Sequence, residues 1–338
     1  MIRMMSVALA AAMLLALTDA PGAQTGGTRR TTEADRRSAR EPDWRLGPQN
    51  DPNNCKSLWQ DIGLPKTSSE NGKESFHVCH TAYVVLHNFD RKTPDWVIEN
   101  LTKAQVSGDN DRPGGGFKPD PNLPESAQAK DKDYTHSPPF ARGHQAPSED
   151  FNVDADLMRE TFLFSNVVPQ VSPFNSGIWQ QLEKRVRELA KQRGRIVVVT
   201  GPIYQTTEGG EQTIAAADNP CNHEIKLDPP PSQKRKKVIC TANNENPRTA
   251  CTEEDGVAVP AALYKVVYDP KLGRANAYIL PNIDYKGIKS KLTTSAQLET
   301  YRTSVSVVED QTGLRFFSAM SARDQLVRKK NCTATMLH

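Results

Sequence analysis

Phe140-Ala141-Arg142-Gly143-His144-Gln145-Ala146-Pro147 opens the part of this 338-residue chain that reads as a chemical site. It resumes at Ser165-Asn166-Val167-Val168-Pro169-Gln170 and runs through Phe174-Asn175-Ser176-Gly177-Ile178-Trp179-Gln180-Gln181-Leu182-Glu183. These residue types suit hydrolysis of an anionic ester. That reaction needs a base for the attacking water, neutralisation of the ester's charged oxygens and stabilisation of the leaving oxygen. A histidine of near-neutral pKa suits the first task, and a hard cation held by oxygen ligands suits the other two. His144 is the candidate general base, and Gly143 before it lets the backbone turn tightly beside a substrate. Arg142 can pair with phosphate oxygens through its planar fork. His136, in the loop just before, is the rival histidine.

Asn175 offers an amide oxygen to magnesium, which keeps several waters and takes few protein ligands. The competing reading is a helix N-cap. Glu183 lies on the same helix. On regular α-helical geometry it is turned by about 80° and raised by roughly two turns from Asn175, which suits a metal-bound water better than the same coordination site. Its alternative partner is Arg187 at i+4. Asn166, taken alone, is a loop residue that bonds its own backbone.

Around this stretch the pattern is mixed. Phe76 to Asn88 and Trp96 to Thr102 have strand character, with Phe89 to Pro94 as the turn between them. Ser107 to Pro139 carries Gly114-Gly115-Gly116 and many prolines and is expected to be a long functional loop. Asp154 to about Phe162 suits a short helix. From Ser176, Ile178, Trp179, Leu182, Val186, Leu189 and Ala190 recur at helical steps until Gly194 stops them. The other helix face carries Lys184, Arg185, Arg187, Lys191 and Arg193. Arg195 to Thr200 reads as a buried strand ended by Gly201-Pro202. Gly256 to Tyr268 and Arg274 to Leu280 return to strand pattern, and Ser295 to Asp310 to helix with Gly313 as its stop. Strands and helices do not alternate as βαβ units, so the class is α+β.

Arg142-Gly143-His144-Gln145-Ala146-Pro147 resembles the signature Asp-Arg-Gly-His-x-Ala-Pro of the DNA/RNA non-specific endonucleases. Ser165-Asn166-x-x-Pro169-Gln170 followed by Asn175-x-x-x-Trp179-x-x-Leu182-Glu183 resembles that family's second signature in order and spacing. Tyr83-Val84-Val85-Leu86, Thr200-Gly201-Pro202-Ile203-Tyr204, Tyr264-Lys265-Val266-Val267 and Thr312-Gly313-Leu314-Arg315-Phe316-Phe317 extend the resemblance over roughly Phe76 to Phe317. It implies a ββα-metal (His-Me finger) nuclease fold with a central antiparallel sheet flanked by helices. It further implies His144 as the base, Asn175 as the Mg2+ ligand, with Mn2+ as a substitute, and Glu183 as the group that orients the metal's waters. Asn166 and Arg142 would complete the catalytic set. The implied substrates are DNA and RNA cut without base preference, since phosphate contacts carry no sequence information. Homodimers occur in the family. Two positions depart from it. The acid that opens the first signature is Ala141 here, removing an acceptor expected near Arg142 and His144. A family arginine aligns with Gly114-Gly115-Gly116, leaving Arg112 or Lys118 as substitutes for substrate binding.

The remaining segments bound the setting. Arg3, the apolar run Ser6 to Leu17 and the small residues Ala20 and Ala23 form a signal-peptide pattern over 1–23, too short to span a bilayer comfortably. Export is therefore expected, secreted or periplasmic and with no stable membrane association after cleavage; a mitochondrial transit peptide is the second reading. Residues 24–47 read as a flexible linker, 48–325 as the nuclease domain with a Cys-rich insertion at about 204–254, and 326–338 as a tail. Six cysteines and no Cys-x-x-Cys pair favour disulfides over zinc. The expected pairing is Cys55 with Cys79, one pair within Cys221, Cys240 and Cys251, and the spare of that trio with Cys332. A net charge of +3 does not argue for or against nucleic acid, and the basic run Lys234 to Lys237 reads as a solvated face. Two other functions remain in play: a nucleic-acid-binding module with weak or no catalysis, and a disulfide-stapled exported protein that binds another protein.

Overall fold

The computed structural model describes residues 48–67, 75–135, 137–204, 213–214, 218–219, 221, 225–226, 238–239, 256–285, 294–330 and 332. The expected signal and linker over 1–47, His136, Cys240, Cys251, the 234–237 basic run and most of the 204–254 insertion lie outside the described residues.

The strands that matter are β1 (Ser75–Cys79), β2 (Tyr83–Asn88), β3 (Thr93–Thr102), β4 (Phe140–His144), β5 (Val167–Val171), β6 (Arg195–Ile203), β7 (Ala262–Asp269), β8 (Arg274–Pro281) and β9 (Arg302–Thr303). Seven of them form one sheet in the order β9-β8-β7-β6-β3-β2-β1, antiparallel at every junction. The helices are α1 (Ala155–Glu160), α2 (Gln180–Arg193), α3 (Thr294–Glu299), α4 (Val305–Thr312) and α5 (Ala322–Lys329). The fold is α+β, as the sequence pattern indicates.

Alternation along the central strands sorts side chains onto two faces. Val84, Trp96, Ile98, Val197, Val199, Tyr264 and Val266 point to one side, where Leu58, Ile62, Val305, Val308, Phe316 and Phe317 cover them. Val85, Val97, Leu101, Ile196, Val198, Leu263 and Val267 point to the other, beneath α2 and the β4–β5 pair. The α2 stripe Leu182, Val186, Leu189 and Ala190 is at most 1 % exposed. Its Leu and Val members each contribute about 1.5–3 kcal/mol by burial.

Four expectations change. Phe76 to Asn88 is a hairpin, β1 and β2, closed where His80 N donates to Tyr83 O at 2.9 Å. Its turn has no Gly, Pro, Asn or Asp to mark it. Gly201-Pro202 does not end β6, which runs on to Ile203 against β7. A side chain at Gly201 would lie 2.5 Å from Tyr264 Oη, and pairing with β3 has already stopped at Thr200 before Pro202 is reached. The helix expected over Ser295 to Asp310 is two helices with β9 between them. Ser304 starts the second by accepting from Val307 N, and Gly313 closes it at φ +71°. Finally, α5 crosses the expected boundary at 325, and Cys332 beyond it is bonded to Cys221. The Cys55–Cys79 disulfide is present as expected.

Candidate active site

β4 pairs antiparallel with β5, with Phe140 opposite Val171 and His144 opposite Val167. β5 leads straight into a helical turn at Ser172–Phe174, a π turn at Asn175–Trp179, and then α2. This is a ββα unit, and it carries nearly every candidate residue. Asn282 fixes it to the sheet, accepting from Val171 N at 2.8 Å and donating to Pro169 O and Pro260 O at 3.0 Å each.

His144 ends β4. The residue keeps a partly exposed edge, but its Nε2 is buried and has no hydrogen-bond partner. Phe117 and Phe162 flank the ring, each with its centroid at 4.8 Å. Burial first, and the nearby Arg112 charge second, push the imidazole down to about 3. It is therefore neutral at neutral pH, with a buried ring nitrogen that no hydrogen bond engages. Gly143 is not in a tight turn. It lies in extended strand, and glycine is required because the Gln170 side chain fills the space where a Cβ would stand.

Arg142 shares the face of His144 by strand alternation, whereas Ala141 points the other way. The expectation that an acid at 141 would sit beside Arg142 and His144 is thus corrected. A carboxylate reaches Arg142 from elsewhere: Asp131, on the one-turn helix Asp131–Thr135, pairs with it at 2.6 Å. The guanidinium also lies 5.6 Å from the Tyr134 ring centroid.

Asn166 is fully buried, and its amide is committed to backbone. It accepts from Ala146 N at 2.8 Å and donates to Ala146 O and Thr161 O at 2.9 Å. It bonds the segment after His144 rather than only its own backbone. Both its amide hydrogens and its oxygen are engaged within the protein. Ser165, its neighbour, donates to Asp120 at 2.5 Å, and His80 contacts the same carboxylate at 2.9 Å. Burial alone would raise Asp120; the His80 hydrogen bond and charge, with the Ser165 hydroxyl, outweigh it and hold the carboxyl at about 2. This knot anchors the long loop that presents Arg112, Phe117 and Lys118.

The helix over the site begins at Ser172, with Val171 as its N-cap, so Asn175 is not the cap. No hydrogen bond engages its side-chain amide among the described residues. Gly177 departs from helical geometry at φ −113°, ψ −112° within the π turn. The kink breaks the regular helix between Asn175 and Glu183, so the offset of about 80° for an unbroken helix does not apply to them. Glu183 is half-buried, and burial pushes its carboxyl up to about 7, Lys265 opposing and Asp150 reinforcing the rise. The Trp179 indole N–H also lowers it, although the pair falls short of full hydrogen-bond geometry. The i+4 partner expected for Glu183 is taken: Arg187 pairs with the buried Asp150 at 2.8 Å. Arg185 and Arg193 are likewise paired, with Glu188 and Asp269, so much of the basic face of α2 is neutralised.

Arg112 places its guanidinium 4.8 Å from the Phe162 centroid, next to the His144 ring. Lys118 binds by its backbone to Phe162 and Phe164 and leaves its side chain exposed. Of the two, only Arg112 is brought to the imidazole. Among the described residues no group of three or more His, Cys, Asp or Glu side chains could hold a metal. The available donors are the Asn175 amide and the Glu183 carboxylate. With the unused Nε2 of His144, that set fits a cation that keeps most of its waters, as Mg2+ does.

A model of the DNA/RNA non-specific endonucleases matches residues 64–323. The chain belongs to this family. Among its relatives are the mitochondrial nuclease EXOG of Homo sapiens, 29% identical over 279 residues, and that of Xenopus laevis, 30% identical over 292. These matches take in 80% and 84% of this chain and 63% and 69% of the relatives. The mitochondrial nuclease of Saccharomyces cerevisiae is 28% identical over 260 residues, 74% of this chain and 68% of its own. The chain thus spans a little under two thirds of the human relative. A solved EndoG chain in complex with EndoGI shares the fold, with a TM-score of 0.57, 22% identity, and coverage of 80% of this chain and 94% of that one.

The sequence reading passed over four polar residues that the structure gathers beneath this site: Glu99, Asp150, Thr200 and Lys265. Glu99 and Lys265 carried a signal, since each is a charge inside an otherwise apolar central strand. Asp131 and Asp120 carried none, because loop carboxylates are ordinary.

Proposed function

We propose that this chain is a metal-dependent endonuclease that hydrolyses phosphodiester bonds of DNA and RNA without base specificity. The observation that carries the reading is the partnerless, buried Nε2 of His144 within the ββα unit of a chain that belongs to this family. His144 takes the proton of the attacking water through Nε2. Arg142 and Arg112 bind the phosphate, Arg142 exchanging Asp131 for a phosphate oxygen. Asn175, with Glu183 beside it in the helical segment, would hold a hydrated Mg2+. When bound, the cation neutralises charge on the phosphorus and leaving oxygens. Asn166 keeps His144 in place through Ala146.

The test is digestion of plasmid DNA and of RNA by the protein with Mg2+, with chelator, and with His144→Ala. Cleavage of both that needs the metal and falls by about 10²–10⁴-fold in the variant is expected. Intact substrate under all metals and pH values would sink the reading, and salt-sensitive binding without cleavage would favour the inactive binding module. The disulfides favour an oxidising compartment, in line with export. The mitochondrial names of the relatives favour the organelle instead. No helix among the described residues is long and apolar enough to cross a membrane. The processed N-terminus and its cell fraction decide between the two.

A further inference from the structure

Lys265 sits in the middle of β7, 0 % exposed, between Leu263 and Val267 on the face of the sheet that looks toward the site. Burying an ammonium there is costly, and an apolar side chain would pack the slot without that cost. What the ammonium touches gives its use. Nζ donates to Thr200 Oγ1 at 2.7 Å, directly across the β6–β7 pair, and reaches Gln145 O at 3.4 Å. It also lies 5.3 Å from the centroid of the Trp179 ring. Gln145 is the residue after His144. Trp179 lies one turn after Asn175 and one turn before Glu183. Two carboxylates face the same charge, Glu183 and the fully buried Glu99 on β3. Neither oxygen of Glu99 meets a donor, and burial first, with the neighbouring Asp150 charge second, pushes its carboxyl up. Asp150 in turn holds Arg187 of α2.

We propose that Lys265 is a positioning residue: one buried ammonium joins the strand that carries His144 to the helix that carries Asn175 and Glu183, and fixes their relative placement. The inference rests on the assignment of those three residues to the reaction. Its chemistry is that of a cation with three donors. One is spent on Thr200, one on the Gln145 carbonyl, and the positive charge itself is spread over the Trp179 face and the Glu183 carboxylate. No residue of another type serves all four.

Lys265→Met keeps the stem and removes the charge, and Thr200→Val removes the anchor while keeping shape. In the full chain, Lys265→Met is expected to lower kcat on plasmid DNA by about 10- to 100-fold with KM changed by less than about threefold, because displacement of reacting groups by an ångström costs that much. Thr200→Val should act in the same direction and more weakly, and Lys265→Arg should recover part of the loss. The second readout needs neither metal nor substrate. In metal-free protein the ring signals of His144 and the indole N–H signal of Trp179, assigned with His144→Ala and Trp179→Phe, should both move in Lys265→Met. The inference is overturned by wild-type kcat in Lys265→Met, by loss of activity only in proportion to an unfolded fraction, or by movement of the Trp179 signal with His144 unmoved. If wild type itself does not cleave, the nuclease reading fails, and the two NMR signals still decide whether Lys265 couples the two arms.

Discussion

At the level of single residues, the proposed reaction groups were legible and their supports were not. His144, Asn175 and Glu183 stand out because each has a chemistry that matches one task. Asp131 and Lys265 acquire meaning only from neighbours far away in sequence. The same holds for Ala141, whose significance reversed once its side chain was found on the face opposite Arg142. Ala141→Asp is accordingly expected to change kcat by less than about threefold, an effect too small for a lost catalytic contact. Asp131→Asn should lower KM for DNA by freeing Arg142 for phosphate; a raised KM would instead make Asp131 part of the binding geometry. Titration supplies a second check, by thermal unfolding of metal-free protein across pH. His144 is held at about 3, below its unfolded value, so the unfolded chain binds more protons between there and about 6.5. Its contribution is present above that window and is lost as pH falls through it. Glu183 is raised to about 7, so its contribution is present below its unfolded range and is lost as pH rises through the window. His144→Asn should flatten the first slope and Glu183→Gln the second; unchanged slopes would contradict the burial assigned to either group.

At the level of elements, apolar periodicity located α2, β3, β6, β7 and β8, since each has a buried face to mark it. It missed the β1–β2 turn, which no turn residue signals, and the division between α3 and α4, where Ser304 starts a new helix inside an acceptable helical pattern. It also missed the π turn, because an extra residue in a helix leaves the composition unchanged. That turn has a consequence that can be measured. Deletion of Gly177 should remove the kink and change the direction of Glu183 relative to Asn175. Helical content should be kept while cleavage falls by at least about 10²-fold, and an active deletion variant would rule out the wide turn as the device that aligns the two. Truncating the stripe instead tests the support: Leu182→Ala should cost about 2–5 kcal/mol in denaturant unfolding.

At the level of the whole molecule, the nuclease fold was legible from motif order, while the closure of the chain was not. Cys332 lies 111 residues from its partner Cys221, and bonding over so long a loop contributes about 2–5 kcal/mol. Cys332→Ser should lower the thermal midpoint without altering kcat at low temperature; an unchanged midpoint would mean that the bond constrains nothing that unfolds. The arrangement of β3 beside β6 reaches further. Val97 pairs with Thr200, so the complete ββα unit is enclosed between two neighbouring central strands. The unit leans on β6 and β7 for Thr200 and Lys265, and on Asn282 just after β8 for its attachment. Translation as far as Arg193 yields all the proposed reaction groups with β1, β2 and β3 beneath them, while β6, β7 and Asn282 are still to come. On the proposed reading, a chain stopped at Arg193 holds its reaction groups without Thr200, Lys265 and Asn282, the residues that fix their placement.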